Sequence, residues 1–339
     1  MTKLNIGVIG LGRMGQVYAS HVASHVRNAR LTAVADPRPE VTTPFAEQFS
    51  DLTIYADYHD LLRHPDLQGV IVATPTSTHR EIVIAAAEAG KAIFCEKPTA
   101  LTLEATDEML DAVNRAGVMF QVGFMRRFDT GYAEAKRKIE QGVIGQPVTI
   151  RSIGRDPHRT SLEYADSRMS GGLIIDMAIH DIDLVRWLMD DEVERVYTEA
   201  ASLVYPELND VGDVDTAMIS LKFTRGGLGN IEVSRTAIYG YDIQAEVIGS
   251  KGTLQIGYLR QTPLLVLTQD GVQHDVVPHF PQRFGEAYTR QIEYFVECLV
   301  NDQPPSITPQ DARTALQIAL AATRSQHEGR VIRVADVTS

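Results

Sequence analysis

Hydrophobic and polar positions in the first third of the chain switch back and forth between two periods. Residues 4–9 (LNIGVI), 31–35 (LTAVA), 68–73 (QGVIVA), 91–95 (KAIFC) and 119–122 (MFQV) are short, mostly apolar runs, the pattern of strands buried on both faces of a parallel sheet. Between them, residues 17–26, 43–50, 58–62, 80–89 and 103–116 carry apolar positions at helical spacing, and residues 53–55 read as one more extended segment. Strand and helix in alternation predict an open parallel sheet covered by helices.

At Gly123 the rhythm changes. Phe124-Met125-Arg126-Arg127-Phe128-Asp129 leads into a helix, and residues 148–153, 193–203, 214–223, 228–234, 242–248, 253–256 and 264–268 then read as strands. Gly226-Gly227 and Gly249-Ser250-Lys251-Gly252 have the composition of hairpin turns, so the second sheet is expected to be mostly antiparallel. In 214–223, Ile219, Leu221 and Phe223 share one face, while Thr216, Met218 and Ser220 share the other. Helices on one face leave the second free for another subunit, which predicts a homo-oligomer. The only linker-like stretch is Asn301 to Pro309, between two C-terminal helices.

One stretch fits neither pattern. Residues 170–188, SGGLIIDMAIHDIDLVRWL, read as a helix that is apolar almost all round, with Asp176, His180 and Asp183 at i, i+4 and i+7 on one stripe. Burying an ionised side chain costs several kcal/mol, roughly, unless it is paired or faces a wet cavity. The stripe needs partners from elsewhere in the chain.

Composition narrows the field. A chain of 339 residues exceeds one typical core, so two domains are expected. With 44% hydrophobic and 22% charged residues it is a globular protein, and its formal charge of −12 argues against nucleic acid or an anionic membrane as partner. A small-molecule partner is more plausible. The N-terminal apolar run leads straight into a glycine loop, with no cleavage-site pattern, and no run of about 18 apolar residues occurs, so neither a signal peptide nor a membrane span is expected. Two cysteines, Cys95 and Cys298, make no disulfide framework and suit a reducing, cytoplasmic address. Cys95 reads as a small buried strand residue rather than a nucleophile.

The candidate chemistry begins at Gly10-Leu11-Gly12-Arg13-Met14-Gly15, a G-x-G-x-x-G turn between a strand and a helix, where absent Cβ atoms let a pyrophosphate reach the helix N-terminus. Asp36 ends the second strand at the place where a carboxylate accepts from ribose hydroxyls. Like charges about 4 Å apart repel by roughly 4 kcal/mol per pair at an effective dielectric of 20, before screening, so Asp36 favours NAD over NADP. Arg38 softens that preference. Ala73-Thr74-Pro75-Thr76 is a polar turn at the ligand-binding edge of such a sheet, and His79 either contacts the cofactor or caps the next helix. Glu96-Lys97-Pro98 follows the apolar run at 91–95, which points Lys97 toward the nicotinamide half of the cleft, with Pro98 favouring a tight or cis turn.

With GLGRMG, Asp36, EKP at 96–98 and the D-x-x-x-H helix in hand, the whole chain resembles the Gfo/Idh/MocA family of nicotinamide-dependent sugar and polyol dehydrogenases. Within it, GFMRRFD at 123–129, RDP at 155–157 and YGYD at 239–242 look most like the inositol 2-dehydrogenases. The resemblance implies an α/β protein: an N-terminal Rossmann parallel sheet over 1–122 and a C-terminal α+β domain over 123–339 with a large open, mostly antiparallel sheet, assembled as a homotetramer. It places a catalytic triad on Lys97, Asp176 and His180. It also implies cofactor contacts from Gly10 to Gly15, Asp36, Arg38, Ala73, Thr74, Pro75, Thr76, His79, Glu96, Lys97 and Arg127. Substrate hydroxyls would meet Lys97, Arg127, Asp156, Asp176, His180, Asp183 and Tyr239. The loop from His158 to Met169 varies among such enzymes and leaves the polyol open.

The residues taken alone agree with that chemistry. Oxidising a secondary alcohol needs a base within hydrogen-bond reach of the hydroxyl, and an imidazole titrates near neutral pH. His180 suits that role, Asp176 can orient its ring, and Lys97 can donate to the same oxygen or relay the proton. The alternatives are a metal held by Asp176, His180 and Asp183, a dehydrogenase of a pyranose, a cofactor-binding sensor without turnover, and a structural polar network. No metal is expected, since a base suffices for hydride transfer.

Overall fold

A computed structural model describes residues 3–49 and 51–338 and divides them into two compact units. The first is built on residues 3–125 with Glu286–Thr314, the second on Arg126–Gly285 with Ala315–Thr338.

In the first unit, β1 (Leu4–Ile9), α1 (Arg13–Ser24), β2 (Ala29–Ala35), α2 (Pro39–Ala46), β3 (Thr53–Tyr55), α3 (Tyr58–Leu62), β4 (Gly69–Val72), α4 (Thr76–Glu88), β5 (Ala92–Cys95), α5 (Leu103–Ala116) and β6 (Phe120–Val122) alternate as expected. The strands pair in parallel in the order β3-β2-β1-β4-β5-β6. Chain direction across the sheet reverses between β1 and β4, and the crevice beyond their C-terminal ends is where such sheets bind ligands. Three helices start earlier than their apolar periodicity suggests. Helix α1 begins at Arg13, so that Gly15 lies in its first turn, and α4 begins at Thr76 behind Pro75. Pro39 opens α2, at a position where a missing N–H costs nothing.

The second unit contains α6 (Thr130–Glu140), β7 (Pro147–Arg155), α7 (Leu162–Ala165), α8 (Ser167–Ser170), α9 (Ile179–Met189), β8 (Val193–Ala201), β9 (Thr216–Phe223), β10 (Leu228–Ser234), β11 (Asp242–Gly249) and β12 (Thr253–Gly257). The ribbon β13 (Val266–Thr268) and β14 (Gly271–Gln273) follows, then α10 (Phe280–Asn301), α11 (Pro309–Glu328) and β15 (Ile332–Arg333). Its large sheet runs β12-β11-β7-β10-β9-β8-β15, with β7 and β10 parallel and the other pairs antiparallel. The run at 264–268 does not join it: β13 pairs only with β14, and every residue of that ribbon is exposed.

The first unit's leading segment ends at Met125, and Glu286–Thr314 is grouped with it. From Glu286 onward helix α10 belongs to the first unit, where Gln291 Nε2 donates to the Tyr18 hydroxyl at 2.9 Å and Gln121 Nε2 donates to the Gln291 carbonyl at 3.2 Å. These bonds link residues far apart in sequence, which local periodicity cannot register. Among the described residues no helix is long and apolar enough to cross a membrane.

Candidate active site

The glycine loop is shaped by its own packing. Gly10 has φ +88°, and a Cβ there would lie 2.8 Å from the Ala73 carbonyl oxygen. A Cβ on Gly15 would come within 1.8 Å of the Gly10 carbonyl oxygen. Gly12, the N-cap of α1, is different: nothing lies within 4 Å of the Cβ position, and no side chain caps the helix. The free amide end of α1 therefore faces open space lined by backbone, which fits a dinucleotide pyrophosphate. Arg13 is exposed and Met14 half-buried beside it.

Asp36 is only 4% exposed and closes this loop from below. Its Oδ2 accepts from the Leu11 amide at 2.8 Å, and Arg38 donates through its amide and Nε to Oδ1 at 3.0 and 2.9 Å and through Nη2 to Oδ2 at 2.8 Å. Burial pushes the carboxyl pKa up, but the Arg38 hydrogen bonds and the two amides outweigh it, so the group lies below its ordinary value. A carboxylate fixed at the end of β2 and tied to the glycine loop fits an adenosine ribose.

Ala73, Thr74, Pro75 and Thr76 form the turn from β4 into α4, as expected. His79 does not cap α4. It is 1% exposed, and its ring nitrogens lie 2.9 Å from two backbone oxygens, Nδ1 from Pro98 and Nε2 from Thr74. It ties the loop after β4 to the loop after β5. Burial lowers its pKa. Glu96 likewise turns inward: it accepts from the Tyr18 hydroxyl and, through Oε2, from the Lys97 amide at 2.9 Å. Burial, then the Glu96 charge, push the Tyr18 pKa well up. The Lys97–Pro98 peptide is cis, and Lys97 itself is half-buried.

In the second unit the helix carrying the polar stripe is not a regular α-helix. Residues Ile174–Ala178 form a π-helical turn that runs into α9. A turn closed by i→i+5 bonds holds one extra residue, so positions beyond it are rotated by about 100° relative to a regular helix. Asp176, inside that turn, and His180, just beyond it, are both half-buried, while Asp183, in the regular part of α9, lies in the interior at 1% exposure. There Arg127 grips it with two bonds, Nε to Oδ2 at 2.9 Å and Nη2 to Oδ1 at 2.5 Å. Arg127 and Asp183, both expected at the substrate, are thus joined to each other. The metal alternative loses its third ligand to the same arginine.

Asp176 has partners that sequence spacing did not reveal. Its Oδ1 accepts from the Tyr164 hydroxyl and its Oδ2 from Arg235 Nη2, each at 3.1 Å. Arg235 is 1% exposed, and its Nη1 donates to Asp213 Oδ2 at 2.7 Å; Asp213 Oδ1 accepts from the Leu173 amide at 2.6 Å, which caps the start of the helix. Asp156 directly follows β7, its amide donating to the Ser234 carbonyl at 2.8 Å, and within β7 Ser152 faces α9, its hydroxyl bonding Asp181 at 2.6 Å. Tyr239 does not. Its hydroxyl donates to Asp242 at 2.8 Å and accepts from Arg155 at 3.0 Å, and Arg155 alternates onto the face opposite α9.

Comparison with known proteins agrees with this division. Residues 4–124 match the Gfo/Idh/MocA description "Oxidoreductase family, NAD-binding Rossmann fold", and residues 136–334 match "Oxidoreductase family, C-terminal alpha/beta domain". The chain is 39% identical over 332 residues to the scyllo-inositol 2-dehydrogenase (NAD(+)) of Bacillus subtilis (strain 168), covering 98% of this chain and 96% of that one. It is 37% identical over 335 residues to the myo-inositol 2-dehydrogenase of Thermotoga maritima, covering 98% and 99%. The crystal structure of scyllo-inositol dehydrogenase from Lactobacillus casei with bound NAD(H) and scyllo-inositol superposes with a TM-score of 0.94 at 31% identity, over 98% of this chain and all of that one.

Proposed function

Because the chain belongs to the Gfo/Idh/MocA oxidoreductase family, we propose that it is an NAD-dependent dehydrogenase that oxidises a secondary hydroxyl of a cyclic polyol, an inositol. One observation carries the assignment to this helix: Asp176 and His180 are its ionisable residues that keep partial exposure, whereas Asp181, Asp183 and Arg186 are buried. An imidazole in that position takes up the hydroxyl proton, and a carboxylate one turn earlier stabilises the imidazolium. Arg235 and Tyr164 hold that carboxylate. Lys97, on the turn after β5, is the proton relay by resemblance. Bound NAD supplies the hydride acceptor, cradled by Gly10 to Gly15, Asp36 and the turn from Ala73 to Thr76. Asp36 disfavours the extra phosphate of NADP.

Asp156 is the further contact for polyol hydroxyls. Arg127 and Asp183 shape the site through their mutual pair. The relatives point to scyllo- or myo-inositol as substrate, and the presence of Lys97, Asp176 and His180 together in the sequence favours turnover over a sensing role. Thr216, Met218 and Ser220 on the sheet face away from α9, with Met218 47% exposed, support a homotetramer, which light scattering checks. Two free, buried cysteines support a cytoplasmic address. The test is NADH formation with a panel of inositol isomers and aldoses. Oxidation of an inositol isomer is expected; oxidation of a pyranose alone would redirect the assignment, and no turnover with any of them would overturn it.

A further inference from the structure

The chain Leu173–Asp213–Arg235–Asp176 has a consequence beyond packing. Arg235 is fully buried between two carboxylates, 2.7 Å from Asp213 and 3.1 Å from Asp176, and it enters from the end of β10, a different element from the helix that carries Asp176. A buried guanidinium is retained only where carboxylates compensate it. Asp213 also bonds the first turn of the helix through the Leu173 amide. One charge relay therefore fixes both the helix start and the Asp176 carboxylate, and Asp176 and His180 are the half-buried ionisable residues of that helix.

We propose that Arg235 is a positioning residue that sets the basicity of His180: by sharing the Asp176 charge it keeps that carboxylate oriented but weakens its pull on the imidazolium. This rests on His180 as the base. Arg235 and, through it, Asp213 are the charged groups bonded to the Asp176 side of the pair, and Tyr164 adds a neutral hydroxyl from α7. Asp181 and Asp183, on the same helix, are compensated by Arg126 and Arg127. Removing the Arg235 charge leaves the Asp176 carboxylate less compensated, so the imidazole holds its proton more tightly. Neutralising Asp213 frees the Arg235 charge to act more fully on Asp176, so the imidazole releases its proton more readily. The two changes move in opposite directions, which a purely structural arginine would not produce.

The experiment follows the His180 imidazole by NMR titration in the unliganded full chain, beside the pH profile of kcat. Arg235→Gln should raise the proton affinity of His180 by about tenfold and carry the low-pH limb of kcat upward with it. Asp213→Asn, whose amide oxygen still caps Leu173, should shift both downward. Arg235→Lys should return toward the wild-type profile. If Arg235→Gln does not fold, the double variant with Asp213→Asn, which removes the carboxylate left uncompensated, should fold and still show a smaller upward shift. Titrations of His180 that coincide in all folded variants would overturn the proposal. The NMR readout needs no substrate, so an enzyme that oxidises no polyol would sink the functional reading while leaving the role of Arg235 decided on its own.

Discussion

His79 holds the Lys97–Pro98 turn by its backbone: Nδ1 lies 2.9 Å from the Pro98 carbonyl oxygen while Nε2 lies 2.9 Å from that of Thr74. A neutral imidazole carries one N–H and donates to one carbonyl at a time; the cation would donate to both, but burial disfavours it and lowers the pKa. The unfolded chain therefore binds the proton more readily than the folded one. This contribution to stability is complete above the ordinary histidine pKa and is lost as pH falls toward the lowered, folded value. His79→Gln, which keeps a donor, should flatten the acid side of the stability profile measured by urea unfolding. An unchanged slope against pH would contradict this account.

Breaking the pair between Arg127 and Asp183 should be costly, because both side chains are almost wholly buried, at 8% and 2% exposure. Arg127→Ala leaves a carboxylate without its bidentate partner and should cost about 3–5 kcal/mol of stability. Arg127→Ala in an Asp183→Asn background should cost much less. A denaturant-unfolding double-mutant cycle measures the difference, and additive effects would mean that the pair contributes nothing as a pair.

What could be read from the sequence and what could not divide along physical lines. The glycine loop, Asp36, Glu96-Lys97-Pro98 and the stripe from Asp176 to Asp183 were legible because their meaning lies in local spacing. The π-helical turn that carries Asp176 was not, since no composition marks it. Nor were Arg235 and Asp213: they reach the site from 59 and 22 residues away in sequence, Arg235 to Asp176 and Asp213 to Arg235. An acidic residue in a loop and an arginine ending a strand carry no periodic signal. The grouping of α10 from Glu286 onward with the first unit was not legible for the same reason, since its bonds to Tyr18 and Gln121 join residues 273 and 170 positions apart.

Cofactor choice should turn on the carboxylate that Arg38 and the Leu11 amide hold. Asp36→Ala removes the negative charge while leaving Arg38 to meet a phosphate, so the preference of kcat/KM for NAD over NADP should narrow by at least about tenfold, a modest fraction of the repulsion between close like charges. The gain should fade with added salt, because Arg38 has a side chain 51% exposed. A ratio indifferent to the substitution would remove Asp36 from cofactor selection.

The decisive mutations are at His180 and Lys97. If the imidazole takes the hydroxyl proton, His180→Ala removes the base while leaving the glycine loop and Asp36 untouched, so NAD binding by calorimetry should hold while turnover falls about a hundredfold or more. Lys97→Ala should do the same if the amine relays that proton. An added small base such as imidazole should restore part of the lost rate in His180→Ala, since the cavity left is the size of the ring and Asp176 remains to stabilise a cation there. Near-normal turnover in both variants would place the chemistry elsewhere. Loss of NAD binding in parallel with turnover would mean that these side chains support the cofactor site instead of the proton transfer.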